Sequence, residues 1–211
     1  MSASTHHRIR KRLAAASLAI GTTNMPPAVA STEALVELVA GGDAVALEED
    51  ERLSLLALLS VDSRAVVRAR AASALHVAWR APDEAAAVLQ GLVSDPDEGV
   101  RLAASDGLAA LLAATSPVAR VELVCRWSVS PVGAEREAIA RALVRSTPVL
   151  VADVAIEQLA QDELPRVRVL AARAAAAHYA EDPATYRRLL VGLAMDADEQ
   201  VRAAVRETGR Q

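Results

Sequence analysis

The sequence predicts an all-α protein, a right-handed solenoid of stacked helical hairpins. Three observations carry the prediction. Apolar residues make up 53% of the 211, yet aromatics are only 2% and Phe is absent. The core must therefore be Ala, Leu and Val, whose small side chains let helix axes approach closely, and Ala and Leu lead the helix-propensity order. No stretch alternates apolar and polar as a half-buried strand does. Finally, an aspartate followed six positions later by arginine recurs along the chain.

The recurrence is best seen in "DPDEGVRLAASDGLAAL", residues 95–111. The pairs are Asp62 with Arg68, Asp95 with Arg101, Asp162 with Arg168, and Asp196 with Arg202. Each arginine follows a valine: Val67, Val100, Val167 and Val201. The first two arginines are 33 residues apart and the last two 34, with a gap of 67 between. A degenerate copy fills that gap. Arg136 has Ser130 where the others have Asp, and Glu135 where the others have Val. A period of this length means stacked supersecondary units.

Each unit holds two helices. "SP" at 116–117, "TP" at 147–148 and "DP" at 182–183 mark starts of the first helix, a capping residue followed by Pro at the first helical position. "APDE" at 81–84 is a weaker version. That helix ends at the aspartate turn, and the second begins near the Val-Arg pair. Three residues after the arginine stand Ala71, Ala104, Ile139, Ala171 and Val205; seven after it, Leu75, Leu108, Leu143, Ala175 and Gly209. These positions share one helix face, which is expected to pack on the first helix and on neighbouring units. The opposite face carries positions two, five and nine.

These elements resemble the HEAT-repeat family, including the bacterial phycobilisome-lyase-type HEAT-like repeats. The resemblance covers about residues 50–211, some five units, and the unit at 127–145 departs from it by lacking Asp and Val. In that family the aspartates and arginines form ladders along the stack. The resemblance therefore implies a structural role for Asp62, Arg68, Asp95, Arg101, Arg136, Asp162, Arg168, Asp196 and Arg202. Replacing Arg101 with Ala is then expected to cost about 1–3 kcal/mol, because a partly buried carboxylate loses its partner.

Residues 1–49 lie outside the clear repeats and form a second region. "STEALVELVA" at 31–40 reads as a short helix stopped by "GGD". This segment is expected to cover the open end of the first repeat, since terminal units need a polar outer face. Two readings of the extreme N-terminus stay open. Basic "HHRIRKR", apolar "LAAASLAI" and small "AVA" at 28–30 imitate a secretory signal peptide. Alternatively, Ile9, Leu13, Ala16 and Ile20 share one face of an amphipathic helix, and the protein is cytoplasmic. No stretch approaches a membrane span.

The chemistry-bearing residues point away from an enzyme. Cys125 is the only cysteine, so no disulfide or Cys-based zinc site exists within this chain. Set among apolar residues, it reads as a small buried side chain. HEAT-like deoxyhypusine hydroxylases carry paired His-Glu motifs, whereas none of His6, His7, His76 and His178 precedes Glu. HEAT-like alkylpurine DNA glycosylases use aromatic side chains on a basic concave surface. Here Trp79 and Trp127 lie on apolar helix faces and read as core, and the net charge of −4 opposes nucleic acid. No cofactor or metal motif is present.

Two surface features remain. Acidic residues gather at the turns, "DPDE" at 95–98, "DE" at 162–163 and "DADE" at 196–199, where helix capping accounts for them. Arg70, Arg141, Arg145 and Arg173, with Asp106, occupy the inward-facing positions of the second helices. They form a candidate cationic strip on the concave face for an acidic segment of a protein partner. The expected function is a non-enzymatic protein–protein interaction module using that face or the turn edge. The alternative is a nucleic-acid-binding protein of the glycosylase type, using the arginine strip and the basic N-terminal arm.

Overall fold

The computed structural model describes residues 49–78, 80–145 and 152–209. The helices expected within residues 1–49, the "TP" start expected at 147–148 and the core position expected for Trp79 fall on residues outside these. Among the described residues there is no strand. Ten α-helices follow one another as hairpins: α1 Glu49–Leu59, α2 Ala65–Ala74, α3 Pro82–Leu92, α4 Glu98–Ala114, α5 Pro117–Ser128, α6 Gly133–Arg145, α7 Ala152–Leu159, α8 Pro165–Ala177, α9 Pro183–Leu193 and α10 Glu199–Thr208. A short 3₁₀ turn, Leu75–Ala78, extends α2. The result is an all-α solenoid of five hairpins, each an odd-numbered helix followed by an even-numbered one.

The helix starts follow the local chemistry. Ser116, Asp182, Asp97 and Asp198 each cap a helix, their side-chain oxygens accepting from backbone N–H groups inside the first turn. Pro117 and Pro183 stand at the first position, where no intrahelical N–H bond is lost. α3 and α8 also begin with proline, Pro82 and Pro165, but their preceding residues give no side-chain cap.

Stacking is dominated by the even helices, each packed extensively on the next. Their repeated face forms the core. Ala71, Ala104, Ile139 and Ala171 are fully buried, as are Leu75, Leu108, Leu143 and Ala175. The last unit departs from this pattern, with Val205 half-buried and Gly209 exposed; among the described residues α10 packs chiefly on α8 and α9. Small residues set the spacing. A Cβ on Gly107 of α4 would lie 2.1 Å from the Ala72 carbonyl oxygen of α2, so the two backbones meet where only hydrogen fits.

Two residues flagged in the sequence separate here. Trp127 is completely buried and fills the core beneath α5. Cys125 is exposed, contrary to expectation. Leu123, Val124 and Trp127 take the inward face of α5, and Cys125 falls on the other side of the helix.

Candidate functional site

The aspartates and arginines of the repeat meet along the turn edge. Each Asp first shapes its own turn, its Oδ1 accepting from the N–H two residues on. The acceptors and donors are Asp62 with Arg64, Asp95 with Asp97, Asp162 with Leu164, and Asp196 with Asp198, at 2.8–2.9 Å. Ser130 Oγ does the same for Val132 at 3.1 Å. Each repeat arginine then turns back onto its own turn. Nη1 of Arg68, Arg101, Arg136, Arg168 and Arg202 donates to the carbonyls of Asp62, Asp95, Ser130, Asp162 and Asp196 at 2.6–2.9 Å.

The other edge of the guanidinium reaches the next unit. Arg68 takes both oxygens of Asp95 at 2.7 and 2.9 Å, Arg136 those of Asp162 at 2.5 and 3.1 Å, and Arg168 those of Asp196 at 2.8 and 2.9 Å. Such two-point pairs fix register as well as adding energy. The Arg68 guanidinium beside Asp95 and the Arg168 guanidinium beside Asp196 hold those carboxyls below the ordinary aspartate range. Asp62, the first of the series, is engaged by Arg64 of its own turn.

Three of the nine residues make no rung between units, Asp62 among them. Arg101 contacts its own turn, one of the two placements expected for it, at the Asp95 and Pro96 carbonyls, but the expected carboxylate partner is missing because the next unit offers Ser130, which completes the turn and carries no charge. Among the described residues Arg101 makes no ion pair. Arg202, in the last unit, pairs with Glu199 of its own helix, and Arg206 joins the same carboxylate.

The candidate strip is also corrected. Arg141, Arg145 and Arg173 lie on the even helices as expected, but each is compensated. Arg145 Nη1 pairs with Asp106 at 2.6 Å, and Arg173 Nη2 with Glu207 at 3.6 Å. Arg141 lies 3.4 Å from Glu137, which also receives Arg166 from the following unit at 2.8 Å. The reason is visible in the register. The slot five residues after the repeat arginine holds Asp106, Arg141, Arg173 and Glu207 in turn, so opposite charges fall within reach of adjacent units. The even-helix face is a mixed ion-pair surface, not a cationic one. Arg70 lies exposed on α2.

Two recesses open among these helices. One, of about 730 Å³, lies between α8, α9 and α10, with Ala176, Leu190, Val191, Ala194 and Val205 among its apolar walls and Arg173 and Glu207 at its edge. The other, of about 360 Å³, lies between α4 and α6. Its lining includes Arg101, Ser105, Glu137, Arg141 and Arg166. Much of the acidic turn edge is committed elsewhere: Asp97 and Asp198 are caps, Glu163 pairs with Arg136, and Glu199 is taken by two arginines.

Sequence reasoning missed a buried polar tie near the C-terminal end. His178 is buried, and its Nε2 donates to the Leu143 carbonyl at 2.8 Å. Beside it the fully buried Tyr186 donates to Asp153. Burial first, and the Asp153 carboxylate second, push the Tyr186 phenol well above its ordinary range. The polar residues of "HYAEDPATY" were the available signal. Among the described residues no cluster of His, Cys, Asp and Glu has metal-binding geometry, and no helix is long and apolar enough to cross a membrane.

No family model matches the chain, and no curated protein matches it. Solved helical structures are similar to it at low identity. An engineered protein is 20% identical over 93% of this chain and 94% of its own, with a TM-score of 0.41. YibA of Escherichia coli is 18% identical over 97% of this chain and 74% of its own, with a TM-score of 0.49. A designed armadillo repeat protein, solved in complex with the peptide (KR)4, is 17% identical over 94% of this chain and 97% of its own, with a TM-score of 0.42.

Proposed function

We propose that this chain is a non-enzymatic protein–protein interaction module, a scaffold or adaptor of HEAT-like type, that holds its partner on the even-helix face. One observation carries the reading. Two ion pairs on that face run between adjacent units and remain open to solvent. Arg145 and Asp106 keep 64% and 46% of their side-chain surface, and Arg173 and Glu207 keep 49% and 66%. Pairs so exposed contribute about 0–1 kcal/mol each to stability. They can therefore be exchanged for contacts with a partner at little cost to the fold. The apolar recess beside Arg173 and Glu207 supports the same reading, since protein interfaces combine an apolar centre with a polar rim.

Photo-crosslinkers placed at Arg145 on the even face and at Val154 on the odd-numbered α7 test this in cells of the native organism. Val154 is an exposed control. A defined protein should crosslink from Arg145 and not from Val154. The double swap R173E/E207R keeps the internal pair but reverses its direction, so capture should fall while the melting temperature holds. Equal crosslinking from both faces, or recovery of nucleic acid from the even face, would reject the reading.

A further inference from the structure

The repeat arginines share one posture. Nη1 is pinned to the carbonyls of the arginine's own turn. At Arg68, Arg136 and Arg168 the Nε and Nη2 edge then grips an aspartate of the next unit. Arg101 has the same pinned Nη1, held by the carbonyls of Asp95 and Pro96 at 2.8 and 3.0 Å. Ser130 holds the place of its aspartate, so among the described residues no carboxylate is supplied there. Arg101 instead lines the 360 Å³ recess between α4 and α6.

We propose that this recess binds a carboxylate, gripped at two points by Nε and Nη2 of Arg101 in the role that aspartate plays at the other rungs. A guanidinium fork matches a carboxylate in shape and charge, and one already held in place loses little freedom on binding. The acidic groups of the recess do not cancel it. Asp95 is engaged by Arg68, and Glu137 by Arg141 and Arg166. Among the described lining residues, Glu98 is the acidic group that makes no ion pair of its own, and so the main internal competitor. It precedes Arg101 by three residues, the spacing at which Glu199 reaches Arg202, yet it makes no ion pair with Arg101. The carboxylate can be carried by a small dicarboxylate or by an acidic side chain of a peptide. The site stands whether or not the even face has a protein partner.

The test is titration of the full chain followed by ¹⁵N NMR of the arginine Nε groups. Three probes are used: glutarate, a capped Ala-Glu-Ala peptide and inorganic phosphate. Arg101 Nε should shift with glutarate, with the peptide or with both, and the pattern assigns the source of the carboxylate. Affinity should fall by roughly tenfold or more in R101A. S130D should abolish binding by supplying the carboxylate from within, and should also raise the melting temperature, which shows that it folds. E98Q should tighten binding. No Arg101 shift with either carboxylate, a response to phosphate alone, or affinities unchanged in R101A and S130D would each overturn the proposal.

Discussion

Arg136 and Asp162 form the most enclosed rung of the ladder. Nε and Nη2 of the arginine meet both carboxylate oxygens, and the side chains keep only 12% and 4% of their surface. Removing either partner leaves the other buried and charged. Asp162→Asn or Arg136→Ala should therefore cost about 2–3 kcal/mol. Arg101→Ala, which removes bonds to carbonyls only, should cost about 1 kcal/mol or less. Urea denaturation of the three variants measures both values. Equal losses at Arg101 and Arg136 would show that the rungs contribute nothing through charge.

The ladder also sets the response to acid. Arg68 and Arg168 hold Asp95 and Asp196 below their ordinary pKa. A carboxylate lowered by folding binds fewer protons in the folded state than in the unfolded one. Its contribution is complete above the unfolded value, about 3.9, and is lost as pH falls through the folded value. Stability should stay level from neutral pH to about pH 5 and fall below about pH 4. The double variant D95N/D196N should start lower and fall less steeply. Unfolding free energies from pH 7 to pH 3 check the slope, and parallel curves would contradict the assignment.

Two glycines should respond in opposite directions to alanine. At Gly107 the added methyl meets the Ala72 backbone 2.1 Å away, so α2 and α4 must separate. Gly107→Ala should cost about 3 kcal/mol. Gly91 is exposed on α3 with nothing within 4 Å, and Gly91→Ala should add about 0.5–1 kcal/mol. Thermal melts of both variants decide, and a neutral Gly107→Ala would mean the helices are not in contact there.

Cys125 gives a chemical reading of the helix register. Its exposure on α5 predicts that the native protein reacts with a thiol reagent without denaturant. The expected outcome is one equivalent of thiol at the rate of an open site. Reaction only on unfolding would require α5 to be rotated so that Trp127 no longer faces inward.

The hairpins were legible because their signals are local. A capping residue with proline starts a helix, an aspartate closes a turn, and a 3.6-residue period marks the buried face. The ladder was legible as a recurrence at positions 62, 68, 95, 136, 162, 168 and 196. What single positions did not reveal was consequence between units. Ser130 was visible as a departure, but its effect falls on Arg101, 29 residues earlier. The strip of Arg141, Arg145 and Arg173 was read along one sign of charge. Its compensation by Asp106, Glu137 and Glu207 depends on which turns of adjacent helices meet. The His178 and Tyr186 ties were not legible, since their partners, the Leu143 carbonyl and Asp153, lie more than 30 residues away.

Ser130 has a mechanical consequence. A stack whose units touch only their neighbours behaves as springs in series, and most of its extension collects at the softest spring. The first two hairpins are clasped by Arg68 and Asp95 and by the contact at Gly107. The last three are bound by two rungs and by the His178 and Tyr186 ties. Between the second and third hairpins the turn edge has no such clasp among the described residues. Load across that boundary is carried instead by the packing of α4 on α6 and by the pairs of Arg145 with Asp106 and Arg126 with Asp83, and the recess at Arg101 lies beside it.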